Sequence, residues 1–198
     1  PTDAVTIGIY ELMDEWPDLV ISGINTGRNT GKGELSTSGT LGAATEAASL
    51  GIPTIAVSQH IPSDDMKFEE GKIEIDFSSS QRVLRDLIQK IIDNGFPEGV
   101  DLFNLNVPSN YESDEVMITH LSHKMLDKKV IDSTDEEKHE IFNYPLDETQ
   151  DNEDLIMITS DLVKEYEKGS DGYALMAEKR PSLTPLSADM TYKDLKDW

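Results

Sequence analysis

An α/β fold built on a parallel sheet is predicted by three features of the 198-residue sequence. Two short apolar runs, 18–22 and 53–58, flank a glycine-rich stretch and an alanine-rich helical segment. Strand, loop, helix and strand within about forty residues make a βαβ unit, whose strands are parallel and whose crossover is right-handed. A third apolar run, Leu102-Phe103-Asn104-Leu105-Asn106-Val107, follows an amphipathic segment and repeats the alternation. With 37% hydrophobic and 28% charged residues the composition is globular, so a substantial core is expected.

The elements follow in order. Thr2 or Asp3 stands near the N-cap of a helix carrying Ala4, Val5, Ile7, Ile9, Leu12 and Met13, and Pro17 stops it. Asp18 to Ser22 reads as a buried strand, and Gly23 to Gly33 as a loop. From Ser38 a small, alanine-rich segment permits a helix packed closely on a sheet, ending at Gly51. Pro53 to Ser58 is the second strand. Ser78 to Ser80 cap a helix that presents Val83, Leu84, Leu87, Ile88, Ile91 and Ile92 on one face and ends at Asn94-Gly95. Strands are further expected at 102–107, 115–120, 154–160 and 182–186. The last three of these, in acidic surroundings, read as an antiparallel appendage rather than as more of the sheet. This divides the chain into an α/β core at 1–111, incomplete at its N-terminus, an acidic excursion or hairpin arm at 112–171, and a C-terminal strand and tail at 172–198.

Charge narrows the partners. The formal net charge is −22, and residues 112–171 alone hold 18 acids against 6 bases. A surface this acidic repels nucleic-acid backbones and anionic membranes, so neither a nucleic-acid polymer nor a membrane is expected as partner. A small phosphate in one local pocket remains compatible, since distant charges are screened within ~8 Å at physiological salt. There is no cysteine, which removes disulfides, thiolate catalysis and thiolate zinc sites and makes a cytoplasmic protein the simplest expectation. No apolar run approaches the ~20 residues of a membrane span. The chain opens on Pro1 rather than Met, as a fragment would.

In open α/β sheets ligands bind beyond the carboxyl ends of the strands. The stretch from Gly23 to Thr37 occupies that place and leads into Ser38-Gly39-Thr40. Hydroxyls and free N–H groups at the positive end of a helix make a phosphate cradle, and the same residues also serve as a plain N-cap. Asn25, directly after a strand, is either a turn residue or a neutral oxygen ligand for a hard cation. The loop is not a P-loop: three residues rather than four separate Gly27 from Gly31, and Gly33 follows Lys32.

The runs Asp18 to Asn29, Ser38 to Glu46 and Leu50 to Ser58 resemble the stationary-phase survival protein SurE family of metal-dependent 5′/3′-nucleotidases. Pro1-Thr2-Asp3-Ala4-Val5, Asn104-Leu105-Asn106-Val107-Pro108 and Ser182-Leu183-Thr184-Pro185-Leu186 match further family motifs, in the family's order and across nearly the whole chain. The resemblance implies a Rossmann-like three-layer parallel sheet with a C-terminal antiparallel hairpin used in oligomerisation, as a homodimer or tetramer. It implies hydrolysis of nucleoside monophosphates with a divalent cation, Mg²⁺ or Mn²⁺. Carried over, Asn25 is the metal ligand in this chain, Ser38, Gly39 and Thr40 bind phosphate, and Gly27 and Asn29 shape the pocket. Glu46 falls on the pattern with either a direct or a structural role. The catalytic Asp pair of the family has no counterpart here and is expected upstream of Pro1; Asp64-Asp65 reads as a surface loop instead. Lys179-Arg180-Pro181 departs from the family's usual residues before the last strand. His60, His120, His123 and His139 match no catalytic position. The alternative is a non-catalytic remnant that binds phosphate weakly and oligomerises.

Overall fold

The computed structural model describes residues 1–61, 75–110, 115–123, 125–132 and 156–191. The chain divides into two units, one of residues 1–123 with 166–198 and one of residues 124–165.

In the first unit, helix α1 (Thr2–Ile7) continues into a wide turn over Gly8–Leu12, closed by the Met13 N–H to the Gly8 carbonyl at 3.1 Å. Strand β1 (Val20–Thr26) and the one-turn helix α2 (Glu34–Thr37) lead into α3 (Gly39–Ser49). Strand β2 (Thr54–His60), helix α4 (Ser78–Asn94), strand β3 (Leu102–Pro108) and the short β4 (Met117–Ile118) follow. The second unit is the antiparallel pair of β5 (Leu126–Asp132) and β6 (Ile156–Leu162). The chain returns to the first unit with one wide turn at Tyr173–Ala177 and strand β7 (Ser182–Leu186).

The sheet runs β1-β2-β3-β7-β4, with β1, β2 and β3 parallel, β7 antiparallel to β3, and β4 parallel to β7. Side chains alternate across it with period two. Ile55, Val57, Phe103, Leu105 and Val107 pack with Val83, Leu84, Leu87, Ile88 and Ile91 of α4. On the other face Ala56 and Leu102 meet Leu41, Ala44 and Ala48 of α3. Alanines on both partners let α3 lie close to the sheet, and its N-terminus comes out above the carboxyl ends of the parallel strands.

Several expected boundaries are corrected. Strand β1 does not end at Ser22 but continues through Gly23 to Thr26. The strands at 117–118 and 182–186 belong to the main sheet, not to an appendage, because β7 satisfies the open edge of β3 from Asn106↔Ser182 to Leu102↔Leu186. Ser78 to Ser80 do not cap α4. Phe77 holds the N-cap position, and Asp76 before it ties down the first turn: its Oδ1 accepts the Ser78 N–H at 2.8 Å and its Oδ2 the Ser78 hydroxyl at 3.0 Å, and these bonds hold its carboxyl below the usual range. Pro1 rather than Thr2 or Asp3 precedes α1. Ile92 is turned out, 70% exposed. Asp64-Asp65, His139, Trp198 and the acidic stretch 133–155 lie outside the described residues.

Candidate functional site

A cleft of about 440 Å³ opens at the carboxyl end of β1, beside the N-terminus of α3, lined by Pro1, Ser22, Asn25, Asn29, Ser38, Gly39, Thr40 and Ala43. Five of the residues singled out from the sequence, Asn25, Asn29, Ser38, Gly39 and Thr40, therefore share one cavity.

A bulge puts Asn25 there. Strand β1 pairs with β2 in register from Val20↔Thr54 to Ser22↔Ala56, then resumes at Asn25↔Ser58. One residue is inserted, and a one-residue slip moves every later side chain to the opposite face of a sheet. Without it Asn25 would lie on the α4 face; with it Asn25 joins Ser22 and Ser58 on the α3 face, while Ile24 packs into the core beneath α4. Gly23 makes the bulge possible. Its φ is +124°, and a Cβ there would run into the Val57 carbonyl oxygen. Gly23→Ala is expected to cost at least ~1–3 kcal/mol of backbone strain, lowering Tm by about 2–4 °C per kcal/mol. Thermal denaturation checks this.

Asn25 Nδ2 donates to the Gly27 carbonyl at 3.0 Å, and among the described residues its Oδ1 has no hydrogen-bond donor. That leaves the oxygen available at the cleft. Gly27 is absent from the cleft lining and instead supports Asn25, with its own N–H bonded to the Gln59 carbonyl at 2.8 Å.

Asn29 is 5% exposed and held on all sides. Its N–H donates to Asn106 Oδ1 at 2.8 Å, its carbonyl accepts from Asn104 Nδ2 at 2.8 Å and Asn106 Nδ2 at 3.0 Å, and its own Nδ2 donates to Ser58 Oγ at 2.8 Å. Ser58, Asn104 and Asn106 are fully buried, on the same phase of β2 and β3. These supporting residues carried no site assignment in the sequence reading. Polar residues in one phase of strands otherwise apolar enough to be buried on both faces were the available signal.

Ser38 is both cap and lining residue. Its Oγ accepts the Leu41 N–H at 3.2 Å, while the N–H groups of Gly39 and Thr40, in the first helical turn, have no intrahelical acceptor. Ser22 fixes the neighbouring strand by donating from Oγ to the Thr40 carbonyl at 2.9 Å. Gly39 must be small: a Cβ there would lie 2.9 Å from Pro1 Cγ.

Other expectations fall elsewhere. Arg28 and Lys32 do not line the cleft, so its donors are neutral. Glu46 accepts from Thr6 Oγ1 at 3.0 Å and ties α1 to α3, a structural role. His60, His120 and His123 lie outside the lining, and His120 sits 3.4 Å from Glu167 at the surface. The described residues contain no group of three or more His, Cys, Asp or Glu side chains able to hold a metal, and no helix long and apolar enough to cross a membrane.

Comparison with known proteins agrees with this architecture. Over all of this chain and 72% of its own length, a protein of Methanobrevibacter smithii named 5′-nucleotidase SurE is 41% identical across 200 residues. One of the same name from Methanothermobacter thermautotrophicus is 56% identical over 124 residues, 63% of this chain and 47% of that protein. The crystal structure of the SurE protein from Aquifex aeolicus superposes with a TM-score of 0.69 at 28% identity, covering 96% of this chain and 68% of that one. The family model described as Survival protein SurE matches residues 1–128, a span that contains every residue lining the cleft and the strands that place them, and the chain therefore belongs to the SurE family.

Proposed function

We propose that the protein hydrolyses the phosphate ester of nucleoside 5′- and 3′-monophosphates to nucleoside and phosphate, with a divalent cation. The observation that carries this is the convergence of Asn25, Asn29, Ser38, Gly39 and Thr40 on one cleft at a helix N-terminus. Relatives named 5′-nucleotidase SurE support it, at 41% identity over the whole chain in one case.

The first-turn N–H groups and hydroxyls of Ser38, Gly39 and Thr40 grip the phosphoryl oxygens, aided by the positive end of the α3 dipole. They act on the equatorial oxygens, where charge accumulates during transfer. Because none of the lining side chains is charged, affinity for the anion comes from these dipoles and excess acidity is kept out of the cleft. Asn25 presents a hard, neutral oxygen, a donor suited to Mg²⁺ or Mn²⁺ that orients the ion without cancelling its charge. When bound, such an ion supplies Lewis-acid polarisation of a phosphoryl oxygen and a water of lowered pKa. One neutral ligand holds it weakly, so the family's carboxylate pair, upstream of Pro1, completes the site in this reading. The protein acts as a homodimer or tetramer.

Phosphate release from 5′-AMP, 3′-AMP and p-nitrophenyl phosphate, assayed with Mn²⁺ and after chelation, tests the proposal. Release that depends on the metal is expected of the full-length protein; release indifferent to chelation overturns the metal requirement. Turnover by residues 1–198 alone overturns the placement of the carboxylates. A second reading, phosphate binding without turnover, is favoured by one observation: no lining side chain titrates, so the cleft by itself has no side-chain general base. Calorimetric phosphate binding without hydrolysis in the full-length protein supports that reading instead.

A further inference from the structure

Asp171 is fully buried, and both of its carboxylate oxygens are in use. Oδ2 accepts the Gly31 N–H at 2.7 Å. Oδ1 accepts the Ser122 N–H at 2.8 Å, the Ser122 hydroxyl at 2.7 Å and the Gly172 N–H at 2.7 Å. Among the described residues no lysine or arginine pairs with it, so a buried carboxylate is balanced by N–H dipoles and one hydroxyl. Its own N–H donates to the His120 carbonyl at 2.8 Å, and the Lys32 N–H reaches the Ser122 carbonyl at 2.9 Å. Three segments distant in sequence, 27–33, 120–123 and 170–172, thus meet on one side chain.

The first of these segments carries Asn29 into the cleft. Strands β2 and β3 hold it at Asn29; two residues later Asp171 holds it at Gly31, where φ is +82°. Between these two anchors the loop has little freedom. We infer that Asp171 is a positioning residue for the cleft: it touches no lining group, yet it fixes the loop that presents Asn29, and so sets affinity for the phosphoryl group. This rests on the reading of the cleft as a phosphate site. Only a carboxylate offers acceptors alone to Gly31 on one oxygen and to Ser122 and Gly172 on the other. An amide in its place turns one of those oxygens into a donor facing a donor.

The test compares native protein, Asp171→Asn and Ser122→Ala, each as the full-length chain, by amide hydrogen exchange and by calorimetric titration with inorganic phosphate. For Asp171→Asn, exchange at residues 27–33 is expected to rise about tenfold or more while β2 and β3 keep native protection. The phosphate Kd is expected to weaken about tenfold, within the ~10–100-fold range typical of lost supporting contacts at binding sites. Ser122→Ala keeps the Gly31 bond and is expected to raise loop exchange only about threefold. Native loop exchange and native Kd in Asp171→Asn, or exchange that rises equally in β2 and β3, overturns the assignment. If Asp171→Asn does not fold, Ser122→Ala decides: a rise confined to 27–33 and 120–123 supports the clamp and no rise overturns it. If the native protein binds no phosphate, the reading of the cleft fails, and the exchange pattern alone decides whether Asp171 holds the loop.

Discussion

Asn25→Ala is expected to lower metal-dependent phosphate release from nucleoside monophosphates by roughly 100-fold or more, beyond the ~10–100-fold typical of a lost supporting contact, because it removes a direct ligand. Stability is expected to change little. The side chain makes one hydrogen bond, to the Gly27 carbonyl, worth about 1 kcal/mol net, and it is only half-buried. The two measurements together distinguish the proposed role from a structural one. A variant with native Tm, low activity and an increased requirement for Mn²⁺ is the expected result. Full activity at native metal concentrations sinks the assignment of Asn25 and returns it to the role of a turn residue.

Asn106→Leu is expected to harm both folding and activity. The Asn106 amide accepts from the Asn29 N–H and donates to the Asn29 carbonyl and to Asn104 Oδ1 at 3.2 Å. Leucine is of similar size but leaves the Asn29 N–H without an acceptor and Asn104 Oδ1 without that donor, in a fully buried place. Each orphaned buried group costs about 1–3 kcal/mol, so a loss near 3 kcal/mol is the conservative expectation. At ~2–4 °C per kcal/mol for a chain of this size, Tm falls by roughly 6–12 °C. Activity measured well below the new Tm is also expected to fall, because Asn29 loses its anchor while the donors on α3 remain in place. An unchanged Tm contradicts the buried amide network.

Much of the core was legible because burial imposes a pattern on strands and helices. The runs at 54–60 and 102–108 are too apolar for surface strands, and the alternation of Asn104 and Asn106 with Phe103, Leu105 and Val107 marks two faces. Helix α3 announced itself by small residues after a serine, and the Ser38 cap is real as well as adjacent to the cleft. Helix α4 was placed correctly from its stripe, but its cap was not. Ser78 to Ser80 are chemically competent caps, but the helix begins at Ser78, so the N-cap position falls on Phe77 and Asp76 reaches past it to the Ser78 N–H. The strand at 182–186 was found in place but read as part of an appendage, whereas it pairs with β3 in the main sheet. Its sequence carries no mark of the neighbour whose hydrogen-bonding edge it will satisfy.

The cleft divides in the same way. That Asn25, Asn29, Ser38, Gly39 and Thr40 belong together was implied by the resemblance of contiguous motifs to the family, and the structure brings all five to one cleft. Two decisions were left to tertiary structure. One is the face on which Asn25 lies, set by a single inserted residue at Gly23 whose effect depends on the pairing register with β2. The other is what steadies Asn29: Ser58, Asn104 and Asn106 on two strands, with Asp171 holding the loop at Gly31 from far along the chain. Periodicity and caps are properties of neighbours in sequence and can be read there. Register and long-range hydrogen bonds belong to pairs of segments, so they exist only once the chain has brought those segments together.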